Sequence, residues 1–268
     1  MKVIVRNPLV LFFIAAYLLS WIIWGTSIAE SQGLMGFHIP APLVFWFGLT
    51  TAAYGTAALS GGWPAVRDLL SRLVRWRAGS FWYGGAILLT PAIAGGAIAL
   101  HQLAGGAFNA RSLSLSLDVL WFVLFYTFFF TMTEELAWRG FALPRLQARF
   151  GPLAASLILG LLWGCWHIPL WFVPESFQTF PFSGFLLSTV ASSVIVTWIF
   201  NGTGGSVLIA GLYHASSNGA ISFSKVMSSD SRLFWTFVAL EVVTALGVII
   251  ASRLYRPWRR RIPDESAQ

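Results

Sequence analysis

Residues 117–142 read LDVLWFVLFYTFFFTMTEELAWRGFA. Between Asp118 and Glu134 the run carries no charge, and at about 1.5 Å rise per residue a helix over its full length exceeds the roughly 30 Å of bilayer hydrocarbon. We therefore read it as a membrane-spanning helix. That reading places Glu134, Glu135 and Arg139 in the hydrocarbon zone, where a charge costs about 2.5–3.5 kcal/mol on insertion scales. Charges at that depth need partners or a purpose. Glu135 and Arg139 are four apart, so they share one helix face and can form an ion pair. Glu134 points about 100° away around the axis and is free to face something else.

The rest of the chain agrees with a bilayer setting. Of its 268 residues, 57% are hydrophobic and 10% are charged, against about 25% charged in soluble domains. So little charge does not cover a water-facing surface. The 23 Phe and 14 Trp fit the same setting, because Trp collects where hydrocarbon meets headgroups. The formal charge of +7 comes from short basic patches between apolar runs, the pattern of topology signals, so no nucleic-acid partner is expected. The single cysteine, Cys165, rules out an intrachain disulfide and any multi-cysteine metal site. Met1–Arg6 followed by Leu9–Leu19 has the outline of a signal peptide, but the apolar run continues through Trp21–Trp24. It is read as a retained first span.

These observations predict an all-α, polytopic membrane protein, one bundle of about eight transmembrane helices across residues 1–268. The spans are 8–29, 41–61, 80–104, 117–142, 152–172, 182–200, 203–222 and 233–252. With a cytoplasmic N-terminus, the inner side receives Lys2, Arg6, Arg67, Arg72, Arg75, Arg77, Arg139, Arg145, Arg149, Arg253, Arg256, Arg259, Arg260 and Arg261. The outer side holds Arg111, Lys225 and Arg232. That bias puts both termini in the cytoplasm. The segment Arg67–Arg77, with Leu69, Leu70 and Leu73 among its arginines, reads as an amphipathic helix against anionic lipid of the inner leaflet.

Two further spans carry polar groups: His167, within Trp163-Gly164-Cys165-Trp166-His167-Ile168-Pro169, and His214 with Asn218, four apart on one face. Counted from the cytoplasmic ends near Arg149, Pro152 and Thr203, Glu134, His167 and His214 lie at similar depth, roughly 16–23 Å in. Asn201-Gly202 reads as the tight turn between the sixth and seventh spans. Pro169 is expected to disrupt the outer end of the fifth helix. Glu241 is the one stray acid, either paired with a neighbouring helix or near the cavity.

Two imidazoles, an amide and a carboxylate suit metal-assisted hydrolysis. His167 and His214 would bind a divalent ion, zinc by preference, with Asn218 as a third donor or holding a bound water. Glu134 would deprotonate the water and then protonate the leaving amine, with Glu135 and Arg139 supporting it. A metal-free arrangement stays open, in which Glu134 and His167 polarise water while His214 and Asn218 hold the oxyanion. A transporter also uses buried acids, and a non-catalytic scaffold or immunity protein could use the same groups to lock its helices together.

Glu134-Glu135 with Arg139, Trp163 with His167, and His214 with Asn218 resemble in order and spacing the motifs of the CPBP family of intramembrane proteases. That family includes the type II CAAX prenyl endopeptidases and bacteriocin-immunity-type relatives. The aromatic residue four before the second-motif histidine is usually phenylalanine; here it is Trp163. The resemblance covers a catalytic core of about 119–222 and implies an intramembrane endopeptidase, CAAX-protease-like, in which Glu134 is catalytic and His167, His214 and Asn218 bind water or metal. It implies a membrane-embedded or lipidated peptide or protein as substrate. Compact size and short loops suggest the inner (plasma) membrane of a bacterium, where CAAX-prenylated proteins are usually lacking, so the prenyl-protein substrate is not carried over.

Overall fold

The computed structural model describes residues 7–40, 42–108, 117–173, 176, 180–227 and 230–254. Among these it is all-helical. Helix α1 (Pro8–Ser31) is followed by a π-helical stretch, Val44–Thr50, that runs into α2 (Thr51–Leu73). Next come α3 (Ser80–Leu103), α4 (Leu117–Met132), a second π-helical stretch at Leu136–Ala142, and α5 (Leu143–Phe150). The chain continues through α6 (Pro152–Trp166), a 3-10 turn at Ile168–Trp171, α7 (Phe182–Gly202), α8 (Val207–Ser224) and α9 (Ser231–Ser252).

Among the described residues, five helices are long and apolar enough to cross a membrane: α1, α3, α6 with its 3-10 extension, α7 and α9. A sixth crossing is counted if α4 and Leu136–Phe150, bent by 41°, form one broken span. The protein is thus a multi-pass helical membrane bundle. The two other expected spans, 41–61 and 203–222, fall short of that test for physical reasons. The first is divided between the π-helical stretch Val44–Thr50 and α2, which runs on past a break at Gly62 (φ 63°) into the basic segment, so neither piece is both long and apolar. The second coincides with α8, which buries Tyr213, His214, Ser216 and Ser217 among other helices and so need not be apolar all round. Lipid-facing surface is plain on α4, where Leu117, Leu120, Trp121, Leu124, Phe125 and Phe128 are all exposed. Such a stripe is not tolerated in water.

The bundle is held by α4 along α8, α6 along α7, and α3 against α8 and α9. The α6–α7 approach depends on Gly160, where a Cβ would lie 2.8 Å from the Val190 Cα. The fifth span runs Pro152–Trp171, and its outer end is disrupted as expected: Pro169 supplies no N–H and disfavours helical Ile168, so α6 proper ends at Trp166, His167 becomes the C-cap and the chain tightens into the 3-10 turn. Other local expectations are corrected. Asn201 and Gly202 are still helical, and the turn to α8 falls at Gly204 (φ 66°) and Gly205 (φ 85°). Asn201 instead exchanges two amide hydrogen bonds with Gln147 of α5, at 2.8 and 3.1 Å. Arg139, counted above with the cytoplasmic charges, is wholly buried. The basic helix after the Gly62 break is amphipathic, with Leu69 buried and Arg67 exposed. Lys2, Arg6, Arg111, Arg256, Arg259, Arg260 and Arg261 lie outside the described residues.

Candidate active site

The π-helical stretch directly after Glu135 winds the backbone more widely and marks the bend of the broken span. It leaves the two adjacent glutamates with different companions. Glu135 Oε1 accepts from Arg139 Nη1 at 3.0 Å, so the ion pair foreseen from the four-residue spacing is present and fully buried. The same oxygen accepts from His214 Nδ1 of α8 at 2.8 Å. Glu134, turned the other way, accepts the indole N–H of Trp163 on Oε2 at 2.7 Å.

Both histidine tautomers follow from their partners. His167 Nδ1 lies 2.8 Å from the Trp163 carbonyl oxygen. A carbonyl only accepts, so Nδ1 carries the proton. His214 Nδ1 donates to the Glu135 carboxylate by the same reasoning. Each ring therefore keeps Nε2 for another role. The His214 ring is stacked on Phe130, with centroids 3.9 Å apart and planes 2° from parallel. Trp163 stands edge-on to it at 5.3 Å, and the Arg139 guanidinium lies over the Trp163 ring at 4.4 Å.

Glu134, His167, His214 and Asn218 all line one cavity of about 600 Å³, together with Glu135 and Trp163. Arg139 does not line it and stands behind Glu135. Much of the remaining wall is aromatic, with Phe122, Phe125, Tyr126 and Phe129 from α4, Phe185 from α7 and Phe180 just before it. The size suits a small or extended ligand, about 300–1,000 Å³ being usual for binding pockets.

A second polar patch lines the same cavity and was not foreseen. Ser188 and Ser192 of α7 donate to the two oxygens of Glu241 at 2.5 and 2.6 Å, and the Ser192 hydroxyl lies 3.3 Å from that of Tyr213. Ser188, Ser192 and Tyr213 face the cavity, while Glu241 is fully buried behind them. Both alternatives for Glu241 therefore hold: it pairs with a neighbouring helix, and that helix face is a cavity wall. Serine one turn apart on α7, opposite an acid on α9, was the available sequence signal.

Among the described residues, no three His, Cys, Asp or Glu side chains are grouped to hold an ion. His167, His214 and Asn218 offer two imidazoles and an amide, short of the three usual zinc ligands.

The chain is similar in sequence to known proteins. Residues 116–220 match the family described as type II CAAX prenyl endopeptidase Rce1-like. Over 256 residues the chain is 27% identical to CAAX prenyl protease 2 of Methanococcus maripaludis, covering 88% of this chain and 92% of that protein. The chain is homologous to the CAAX prenyl protease family.

Proposed function

We propose that this homologue of the CAAX prenyl proteases is an intramembrane endopeptidase that hydrolyses a peptide bond in a membrane-embedded or lipidated protein or peptide. The observation that carries the proposal is the meeting of Glu134, His167, His214 and Asn218, from three separate helical segments, on one cavity. With Oε2 engaged by Trp163, the other oxygen of Glu134 is left to take a proton from water. The resulting hydroxide oxygen attacks the scissile carbonyl carbon, and Glu134 returns the proton to the departing amine nitrogen as the C–N bond breaks. His167 Nε2 orients the water. His214 and the Asn218 amide N–H lie toward the developing oxyanion, His214 donating when protonated. The Glu135 carboxylate supports that imidazolium as it supports Arg139. The aromatic wall accepts an apolar anchor, which favours a lipidated or membrane-buried substrate.

A zinc or other divalent ion held by His167, His214 and Asn218 is a separate proposal; such an ion would polarise the carbonyl and lower the pKa of bound water. Elemental analysis of the purified chain beside a His167→Ala variant decides it. The topology that accompanies this function has about eight crossings, a single membrane domain with its core at 119–222 and both termini in the cytoplasm. The basic residues Arg67–Arg77 and Arg145–Arg149 on one side support it. A bacterial inner membrane is proposed from the compact loops; the relative, aligned over 92% of its own length, is archaeal.

The test is cleavage of a panel of membrane-anchored peptides in proteoliposomes. Glu134→Gln should lower turnover by about 10²–10⁴-fold, the contribution of a general base, with melting behaviour unchanged. Full activity in that variant defeats the mechanism. Ion flux that depends on Glu134, with no cleavage, assigns the cavity to transport instead.

A further inference from the structure

We propose that Trp163 is the positioning residue that aims Glu134 at its water, an inference resting on the hydrolytic reading above. Among the described residues, the indole N–H provides the one hydrogen bond to the Glu134 carboxylate. Arg139 and His167 act on the Glu134 charge through space, but the directional contact to one of its oxygens is the indole N–H. The bond is 2.7 Å long, in the range of hydrogen bonds to a charged acceptor. It fixes which oxygen is occupied and which one is open to the cavity.

Trp163 is itself held on several sides. It is 8% exposed, carries the Arg139 guanidinium on its face at 4.4 Å, and meets the His214 ring edge-on at 5.3 Å. Its backbone carbonyl takes the Nδ1–H of His167. One residue thus orients Glu134 through its ring nitrogen and His167 through its main chain. Its ring face also backs the arginine that shares Glu135 with His214. Any bulky aromatic at this position supplies packing and a face for the cation. Only the indole supplies the N–H, a donor with no acceptor capacity. The N–H is therefore separable from the packing by substitution.

Trp163→Phe keeps a ring and removes the donor. In proteoliposomes it is expected to lower kcat about tenfold or more and leave KM within about twofold, because an interaction made to the general base acts on the transition state and not on substrate binding. Trp163→His, whose ring N–H can donate, should recover part of that kcat. An unchanged kcat in Trp163→Phe overturns the proposal. So does a raised KM at constant kcat, which would make the indole a substrate wall. A second measurement needs no activity. The melting temperature should drop on Trp163→Phe in the wild-type background and change little in a Glu134→Ala background. Equal drops in the two backgrounds show that no such bond operates. Coupling in melting together with a wild-type protein that cleaves nothing would leave the Trp163–Glu134 link standing and remove the endopeptidase reading.

Discussion

Two acids with no exposed surface sit in this bundle with opposite companions. Glu135 is surrounded by nitrogen: Arg139 one turn away and His214 across the helix interface, both on the same oxygen. Glu241 is surrounded by hydroxyls, with Ser188 and Ser192 on its two oxygens; among the described residues it has no ion pair. The difference teaches how a bilayer protein affords buried carboxylates for distinct purposes. A cation neutralises the charge of Glu135 outright, so the carboxylate stays put and can hold an imidazole in one tautomer. Hydroxyls both donate and accept, so they accommodate Glu241 with or without a proton. The first neighbourhood is built to hold geometry constant, the second to tolerate change.

Removing Arg139 should break the comparison most violently. Arg139→Leu leaves the buried Glu135 charge with the His214 N–H as its remaining partner and should cost about 3–5 kcal/mol of stability, the usual penalty for halving a buried pair. Unfolding in detergent measures it, and Glu135→Gln in the same chain should restore a substantial part. A loss below about 1 kcal/mol for the single variant would mean that the ion pair contributes little. Glu241→Gln should be far milder, about 1 kcal/mol or less, because the amide still accepts from one serine and donates to the other. A cost equal to that of Arg139→Leu would erase the distinction between the two sites.

The smallest effect lies outside the membrane and supplies a water-exposed reference. Asp230 caps α9, its Oδ1 accepting from the backbone N–H of Leu233 at 3.1 Å and of Arg232 at 2.7 Å. Those bonds, Leu233 first, hold its carboxyl below the ordinary carboxylate range. Since the folded value lies below the unfolded one, the stabilisation is fully present above the unfolded pKa of about 3.9 and is lost as pH falls through the folded value. Hydrogen exchange at the Leu233 amide should therefore quicken in wild type only below about pH 4. In Asp230→Ala it should be fast at neutral pH, with no acid step. An acid step that survives in the variant assigns it to another group.

Much of the framework was legible in the chain because it depends on local rules. Apolar runs longer than the bilayer is thick mark α1, α3, α4, α6, α7 and α9, and the four-residue spacing of Glu135 and Arg139 places them on one face whatever surrounds them. His167, His214, Asn218 and Glu134 stood out because polar groups are costly in hydrocarbon. Less legible was the end of α6. Pro169 was visible, yet the helix stops three residues ahead of it, and His167 faces the cavity from a cap and not from a helix face. Hydropathy marks the span 203–222 more weakly, since α8 is buried among other helices and needs no continuous apolar surface. The serines that hold Glu241 escaped notice because serine is common and its meaning depends on what faces it.

By itself the sequence determined that the protein is helical and crosses a membrane several times. It also determined which few polar groups are buried at a cost, because hydrophobic length and helical periodicity are properties of short stretches. Which group touches which was decided only by the tertiary structure. Trp163 donates to Glu134 across 29 positions and His214 to Glu135 across 79. Hydrogen bonds of that reach exist only once α4, α6 and α8 are packed, and their direction is set by rotamers that the packing allows.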